Sequence, residues 1–290
     1  MKRLLFVVIA CAASSASAAG PLVHGHRGSR GTVPENTIPA FEAALMAGAD
    51  VLEMDMNVTK DDVIVISHEP NVTPERCTGP EGAKLEKPVP IRSLTLDELK
   101  KYDCGALQNP RFPRQIPVPG TPMPTLDEVF SMVEKSGYET APKAEFNIET
   151  KIFPWAPELS PAPAKFAELV VKEVRKHRME KRVIVQSFDV RTLREIKKQA
   201  PQIRTSQLTG EDLLNIVPAL KADRTDIWSP NMSWVTAEAV KEAHAAGILV
   251  APWTVNDPKI WDLAIAAGVD AIITDYPADL VDYLQAKKLR

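Results

Sequence analysis

The sequence lacks an excess of charge of either sign. Its 35 Lys and Arg residues nearly balance 38 Asp and Glu residues, and the formal net charge is -3. This balance gives no electrostatic reason to expect a nucleic-acid partner. The sequence also lacks a membrane-spanning segment at its N-terminus, because the apolar run Leu4–Ala13 is too short to cross a bilayer as a helix. Its 25 prolines are spread along the chain and form no linker.

The composition that remains is typical of a soluble globular protein with a real core. Hydrophobic residues make up 44% of the chain and charged residues 25%. A length of 290 residues allows one large domain or two small ones. We find no sign of a second full domain and expect a single domain over residues 19–290, after a signal peptide at residues 1–18.

The N-terminus has the features of an export signal. Two basic residues precede the apolar run, and Ala16–Ala18 has the small-x-small form that signal peptidase recognises. We therefore expect cleavage after Ala18 and a periplasmic or secreted protein. The alternative is a lipoprotein signal in which Cys11 becomes the lipidated N-terminus; in either case the protein is exported.

Cysteines are scarce, and only Cys77 and Cys104 remain after cleavage at Ala18. Both lie in one irregular, proline-rich segment. Because an exported protein meets an oxidising compartment, we hypothesise that they form a disulfide. Two free thiols are the alternative.

Short apolar strands alternate with amphipathic helices along almost all of the predicted mature chain. The predicted strands are Leu22–Gly25, Val51–Met56, Phe146–Lys151, Val183–Ser187, Arg204–Leu208, Asp226–Ser229, Ile248–Trp253 and Ala271–Thr274. The predicted helices are Ile38–Ala47, Leu126–Lys135, Lys165–Lys176, Val190–Lys198, Ala237–Ala245 and Pro258–Ala266. Eight such units predict an α/β protein with a parallel sheet, and their total length favours a closed (β/α)8 TIM barrel over an open, doubly wound sheet.

Residues 69–124 interrupt this alternation. The segment lies between the second strand region and the following helix, holds Cys77 and Cys104, and contains one short helix near Leu96–Lys101. We interpret it as an insertion, either a lid over the active site or a small subdomain.

Carboxylates occupy one face of two predicted strands. Glu53 and Asp55 are two residues apart on the second strand, and Glu149 shares a face with Lys151 on the third. Carboxylates that converge at the strand ends of a barrel make an oxygen-rich site for Ca²⁺ or Mg²⁺. A salt-bridge network with Arg27 and Lys151 is the alternative.

Two histidines end apolar runs close to these acids. His26 follows the first strand, and His68 follows the apolar run Val63–Ile66. Their positions suit general acid–base chemistry near neutral pH. The loop after Arg27 leads into the predicted helix start at Pro34–Thr37, where backbone N–H groups favour anions.

An ordered set of motifs resembles the glycerophosphodiester phosphodiesterase family. No single motif is specific, but the set covers nearly all of the predicted mature chain in the right order. The motifs are His26-Arg27-Gly28, Pro34-Glu35-Asn36-Thr37, Gly48-Ala49-Asp50-Val51-Leu52-Glu53-Met54-Asp55, Pro124-Thr125-Leu126-Asp127-Glu128, Asn147-Ile148-Glu149-Thr150-Lys151, Gln186-Ser187-Phe188-Asp189, Trp253-Thr254-Val255-Asn256 and Thr274-Asp275-Tyr276-Pro277.

The resemblance implies a metal-dependent hydrolysis of small-molecule glycerophosphodiesters to glycerol 3-phosphate and an alcohol, in which the glycerol 2-hydroxyl can be the first nucleophile. It also implies roles for nine residues. They are His26 and His68 as general base and acid, Glu53, Asp55 and Glu149 as ligands of a divalent cation (Ca²⁺ or Mg²⁺), Glu35 as a support for the metal or substrate, Arg27 and Lys151 as phosphate ligands, and Trp253 as a pocket wall.

One departure and two alternatives accompany this interpretation. Glu69 stands where family members usually carry Asp, which puts the support of His68 in question. A phospholipase D-like lyase that stops at a cyclic phosphate would use the same residues. A non-catalytic barrel that binds phosphodiesters is the second alternative. His24 is interpreted as a structural histidine beneath His26.

Overall fold

The computed structural model describes residues 20–212 and 215–290. The predicted signal peptide and its cleavage site lie outside the described residues. Within those two ranges, no helix has both the length and the apolar composition needed to cross a membrane.

The described ranges contain eight parallel strands that form a barrel. They are β1 (Leu22–Gly25), β2 (Val51–Val58), β3 (Glu145–Thr150), β4 (Val183–Ser187), β5 (Arg204–Thr209), β6 (Ile227–Pro230), β7 (Leu249–Val250) and β8 (Ala271–Thr274). Neighbours pair in the order β7-β6-β5-β4-β3-β2-β1-β8. Hydrogen bonds from Asp270 N to Val250 O (2.9 Å) and from Ile273 N to Pro252 O (3.0 Å) join β7 to β8. The predicted barrel is therefore confirmed, and the open sheet is wrong.

Helices follow these strands on the outside. They are α1 (Ile38–Met46), α2 (Leu126–Lys135), α3 (Pro163–Lys176), α4 (Val190–Gln199), α5 (Ile216–Ala222), α6 (Ala237–Ala245), α7 (Pro258–Ala267) and α8 (Pro277–Ala286). Local chemistry sets several of their ends. Thr125 and Glu128 form a capping box that starts α2, and Gly268, with a φ of 82°, ends α7.

Two parts of the barrel differ from the sequence prediction. Only Leu249–Val250 of the predicted strand Ile248–Trp253 joins the sheet as a regular strand. Pro252 has no N–H to donate, while Ala251 N and Trp253 N on either side of it still donate to Trp228 O (2.9 Å) and Pro230 O (3.1 Å). Helices α5 and α8 were not among those predicted.

The alternation along β2 places its side chains on two sides of the barrel wall. Leu52, Met54 and Met56 pack into the large apolar cluster between strands and helices. Glu53 and Asp55 point the other way and are also buried. The predicted separation of faces on β2 is therefore confirmed.

The end of β2 forms a hairpin that carries His68. The short strand Ile64–Ile66 runs back along β2 in antiparallel register, with Met56 opposite Ile66. Ser67 N donates to Asp55 O at 2.9 Å. This hydrogen bond places the end of the hairpin beside Asp55. His68 thus reaches the barrel mouth on a returning hairpin.

Residues 69–124, together with Val65, carry an apolar cluster separate from the barrel core. A two-stranded sheet pairs Asn71–Val72 with Val89–Pro90, and a short helix covers Leu96–Leu99. A disulfide joins Cys77 to Cys104, so that hypothesis is confirmed. The cluster's buried members are Val65, Val72, Cys77, Ile91, Leu99 and Met123.

Candidate active site

A cleft of about 290 Å³ opens at the C-terminal ends of the strands. His26 and His68 both line it, together with Glu53, Glu149 and Lys151. The structure therefore brings together residues from β1, β2, β3 and the returning hairpin, at the end of the barrel where such active sites form.

Three carboxylates meet at the floor of this cleft. Each of Glu53, Asp55 and Glu149 offers an oxygen within 4.8 Å of the other two. The Lys151 ammonium lies 3.0 Å from Asp55 Oδ1 and 2.8 Å from Glu149 Oε1. On Glu53, Oε1 accepts a hydrogen bond from Gln186 Nε2 (2.6 Å). All three carboxylates are buried, so their charges interact strongly.

The charges at this floor are not balanced by protein cations alone. Burial and the neighbouring Asp55 charge raise the pKa of Glu53 well above its usual range. Burial raises the pKa of Glu149 to about 7, although Lys151 opposes the change. Burial also acts on Asp55, but Lys151 and Arg27 hold its pKa well below the usual range. The two raised values indicate carboxylates that need a further positive charge to ionise together.

These three carboxylates fit a divalent cation. The donor set consists of oxygen atoms, which hard cations prefer. Arg27 and Lys151 do contact the acids, as the salt-bridge interpretation expected, but Arg27 is also shared with Glu35. Glu53, Asp55 and Glu149 are therefore the residues that would hold the metal.

Arg27 is fixed by a tight turn after β1. Its φ is 53°, and Gly28 follows with a φ of 84°; a Cβ on Gly28 would lie 2.5 Å from the Ala40 backbone. The Arg27 N–H donates to Glu53 Oε2 at 2.8 Å, and its Nε lies 3.1 Å from Asp55 Oδ2. Close packing of this turn against α1 thus holds Arg27 beside the acids.

Glu35 binds guanidinium groups and does not join the three carboxylates. It accepts hydrogen bonds from Arg27 Nη1 (2.7 Å) and Arg30 Nε (2.7 Å), and also from Arg76. Burial acts against its ionisation, but Arg27, Arg76 and Arg30 lower its pKa to about 2. Its observed contacts indicate that it organises arginines around the cleft.

His26 is held by a carboxylate from the last strand. Its Nδ1 lies 2.6 Å from Asp275 Oδ1, and its Nε2 lies 3.9 Å from Glu53 Oε2. Asn256 Nδ2 donates to Asp275 Oδ2 at 2.8 Å, while the Asp275 N–H donates to Asn256 Oδ1 at 2.9 Å. Burial lowers the pKa of His26 below its ordinary value, although the Asp275 hydrogen bond opposes this.

His68 has a more open environment. Its Nδ1 lies 2.8 Å from Glu69 Oε1, and Arg76 Nη2 lies 3.5 Å from the same oxygen. Burial lowers the pKa of His68, and the charge of Asp55 opposes the change. The Glu69 carboxylate thus reaches His68 despite the departure from the usual Asp.

Trp253 lies on the wall of the cleft. Its indole N–H donates to Ser229 O at 2.9 Å, and its ring meets Phe188 edge-to-face at 5.5 Å. Phe188 lines the same cleft.

Comparison with known proteins places the chain in one family. The model of the glycerophosphoryl diester phosphodiesterase family matches residues 26–279. The chain belongs to this family. A glycerophosphodiester phosphodiesterase from Caldanaerobacter subterraneus subsp. tengcongensis is 34% identical over 270 residues, covering 91% of this chain and 98% of the relative.

Solved structures agree with this assignment. A Silicibacter pomeroyi protein whose name places it in the same family has a TM-score of 0.86 and 31% identity, covering 93% of this chain and 94% of that one. An Oleispira antarctica phosphodiesterase, solved in complex with the product sn-glycerol-3-phosphate, shares the fold with a TM-score of 0.75 and 22% identity, covering 92% and 97%.

Several residues of this family member's cleft had no role in the sequence analysis. Asp275 directly follows β8, so the rule that strand ends carry the site could have found it. Gln186 lies near the end of β4, where the same rule applies. Arg76 comes from the insertion, and no local pattern distinguishes it from other surface arginines.

Proposed function

We propose that this protein hydrolyses glycerophosphodiesters to glycerol 3-phosphate and an alcohol. The observation that carries the proposal is the arrangement of two histidines around one buried group of three carboxylates. The name of the Caldanaerobacter relative supports the same reaction. The substrate is a small molecule with one phosphodiester.

The two histidines divide the proton transfers. Asp275 and Glu69 occupy the Nδ1 atoms of His26 and His68, which leaves each Nε2 for the substrate. His26 accepts the proton of the attacking oxygen, and His68 donates a proton to the leaving alkoxide. Burial lowers the pKa of both histidines below the ordinary value, so their division into base and acid rests on the family resemblance and not on the direction of the pKa shift.

Positive charge at the floor holds the phosphate. Arg27 and Lys151 lie within reach of a phosphodiester placed over the carboxylates. A Ca²⁺ or Mg²⁺ ion on Glu53, Asp55 and Glu149 would offset the charge of the non-bridging phosphate oxygens. Trp253 and Phe188 form an apolar wall that restricts the orientation of the bound substrate.

The first experiment measures glycerol 3-phosphate release from glycerophosphocholine by the purified mature protein. EDTA should abolish release, and Ca²⁺ or Mg²⁺ should restore it. His26→Ala should lower kcat by roughly 10²–10⁴-fold. His244→Ala is the matched control, since His244 pairs with Asp270 on the outside of the barrel and should leave kcat unchanged.

Other outcomes separate the alternatives. A cyclic phosphate that persists in phosphorus NMR spectra would indicate the lyase reaction instead of hydrolysis. Binding of glycerophosphocholine without any product would indicate a non-catalytic barrel. Full activity in EDTA would indicate that the three carboxylates form a salt-bridge network and hold no metal needed for the reaction.

We also propose that the protein is exported through its N-terminal signal. The signal features of residues 1–18 and the disulfide of Cys77 and Cys104 support an oxidising compartment. N-terminal sequencing should find Ala19 first. A blocked N-terminus and recovery in the membrane fraction would instead indicate lipidation of Cys11.

A further inference from the structure

One of the cations that line the catalytic cleft differs from the others. Arg27, Arg30, Arg76 and Lys151 each contact a carboxylate. Arg111 also lines the cleft, but it comes from the insertion and is exposed to solvent. Within the part of the chain that the structure describes, no carboxylate pairs with Arg111, and the hydrogen bond that it donates comes from its backbone N–H. Its guanidinium is therefore available to an anion that enters the cleft.

The loop around Arg111 is fixed against the barrel. Asn109 Oδ1 accepts a hydrogen bond from Arg111 N (3.1 Å), and Phe112 N donates to Asn109 O (2.9 Å), so a tight turn presents Arg111. Gln115 is buried; its Nε2 donates to Arg30 O (2.8 Å), and its Oε1 accepts from Asn109 N (2.8 Å). The Arg30 guanidinium also lies 4.7 Å from the centre of the Phe112 ring. Arg111 therefore needs little ordering of its backbone to bind a ligand.

The position of this loop decides which end of the substrate meets Arg111. Asn109 and Gln115 line a small cavity together with His68. The loop thus lies on the side of the histidine that donates a proton to the leaving alkoxide. In a displacement at phosphorus the attacking and leaving oxygens are roughly in line, on opposite sides of the phosphorus atom. The head group therefore extends toward Arg111, and the attacking oxygen lies toward His26.

The charges on this side of the cleft favour an anion with a single charge. Glu69 is the carboxylate beside His68, and Arg76 Nη2, 3.5 Å from it, offsets its charge. The Arg111 charge has no such partner among the described residues. A guanidinium binds a carboxylate through two parallel N–H donors. A phosphate monoester carries nearly two negative charges, so one carboxylate is the better match for one guanidinium.

We propose that Arg111 binds a carboxylate on the head group and so selects glycerophosphodiesters whose leaving alcohol is a hydroxy acid or a hydroxyl-bearing amino acid. The proposal rests on the proposed function and names the residue that sets its head-group preference. Net hydrolysis breaks the bond between phosphorus and the head-group oxygen. The oxygen of water ends on phosphorus, and a proton of water ends on the released hydroxyl. Arg111 contacts the leaving group and takes no part in these proton transfers.

Two substrates that differ by one carboxylate test the proposal. Glycerophosphoserine and glycerophosphoethanolamine share the phosphodiester and the ammonium group, and glycerol 3-phosphate release is measured for both. We expect kcat/KM to be about fivefold higher for glycerophosphoserine, the upper end for one exposed ion pair. Arg111→Gln should bring the two values within about twofold of each other, because the ion pair is lost. Arg111→Lys, which keeps the charge, should retain most of the preference.

The control variant is Arg114→Gln. Arg114 lies in the same loop, but it pairs with Asp279 and does not line the cleft, so this variant should keep the wild-type ratio of the two kcat/KM values. A variant that only folds poorly lowers both values alike and leaves their ratio unchanged. Equal values in the wild type, a preference for glycerophosphoethanolamine, or a preference for glycerophosphoserine that survives in Arg111→Gln would overturn the proposal.

A binding measurement separates this inference from the proposed function. Each of the two substrates is titrated by calorimetry, in the presence of Ca²⁺, into His26→Ala protein with and without Arg111→Gln. Tighter binding of glycerophosphoserine that Arg111→Gln removes supports the inference even if the wild type hydrolyses no glycerophosphodiester. Equal binding of the two substrates overturns the inference and leaves hydrolysis of glycerophosphocholine intact.

Discussion

The two histidines of the cleft lie in two unlike regions. His26 belongs to the barrel, where its partner Asp275 has a side chain 5% exposed and two hydrogen bonds with Asn256. His68 belongs to the hairpin and insertion, where its partner Glu69 has a side chain 39% exposed and a single arginine neighbour. The same pairing of imidazole and carboxylate is thus buried on the barrel side of the cleft, and on the other side its carboxylate is exposed to solvent.

This difference follows from how each pair is built. Adjacent parallel strands hold β1 and β8 in register, and Gly25 pairs with Thr274 one position before His26 and Asp275. His68 instead follows the antiparallel strand Ile64–Ile66, and its side chain is 32% exposed. The barrel half therefore holds the proposed base through backbone register, while the carboxylate partner of the proposed acid comes from the segment that follows the hairpin.

The largest effect should come from Asp275→Asn. An asparagine can favour the wrong tautomer of His26, so kcat should fall on the order of a thousandfold, by analogy with the aspartate of a catalytic triad. Steady-state kinetics with glycerophosphocholine measure it. Asp279→Asn, which only breaks a surface pair with Arg114, should leave kcat unchanged. A change confined to KM would contradict a role through His26.

Removal of the disulfide should loosen the insertion half alone. Cys77→Ala with Cys104→Ala opens a loop of 27 residues. The insertion should lose roughly 3–4 kcal/mol of stability by the chain-entropy relation. Limited proteolysis should then cut within residues 69–124 first and leave the barrel intact. Cleavage spread evenly over both regions would show that the two halves unfold as one unit.

Acid should weaken the barrel half through His24. Burial lowers the pKa of this neutral histidine from 6.5 to about 4. Below pH 6.5 His24 binds a proton in the unfolded chain but stays neutral in the folded chain. The stability that is present above pH 6.5 is therefore lost as the pH falls towards 4. The loss should reach about 3 kcal/mol.

Urea unfolding from pH 7 to pH 4 measures this loss in wild type and His24→Gln. The variant should have a shallower decline, because its side chain has no proton to gain. Parallel curves for the two proteins would assign the acid sensitivity to other groups. His244→Gln is the control on the outer face, where the side chain is 39% exposed and Asp270 contacts the imidazole at 2.8 Å.

The smallest effect should come from Glu69→Gln. Water can replace an exposed carboxylate beside His68, so kcat should fall only about tenfold, less than the roughly 10²–10⁴-fold of a group that itself transfers the proton. Glu69→Asp, which restores the family's usual residue, should stay within about threefold of wild type, or under 1 kcal/mol. Kinetics under the conditions used for Asp275→Asn give the direct comparison. Equal losses of kcat in Glu69→Gln and Asp275→Asn would show that the barrel pair and the more exposed pair do not differ in importance.

Much of this molecule follows from local patterns. The period of apolar residues predicted seven of the strands within a few residues. Alternation along β2 predicted that Glu53 and Asp55 share a face. The predicted strand Ile248–Trp253 shows the limit, because its apolar run predicts an unbroken strand although Pro252 within it has no N–H to donate.

Which side chains meet was decided by the tertiary structure. Asp275 and His26 are 249 residues apart, and only closure of the barrel between its first and last strands makes them neighbours. Arg76 reaches Glu35 and Glu69 because the folded insertion directs it there. The sequence by itself determined most of the elements, the faces of β2 and the family, since these depend on short-range periodicity and ordered motifs. The partners of these side chains depend on long-range packing, which no local pattern contains.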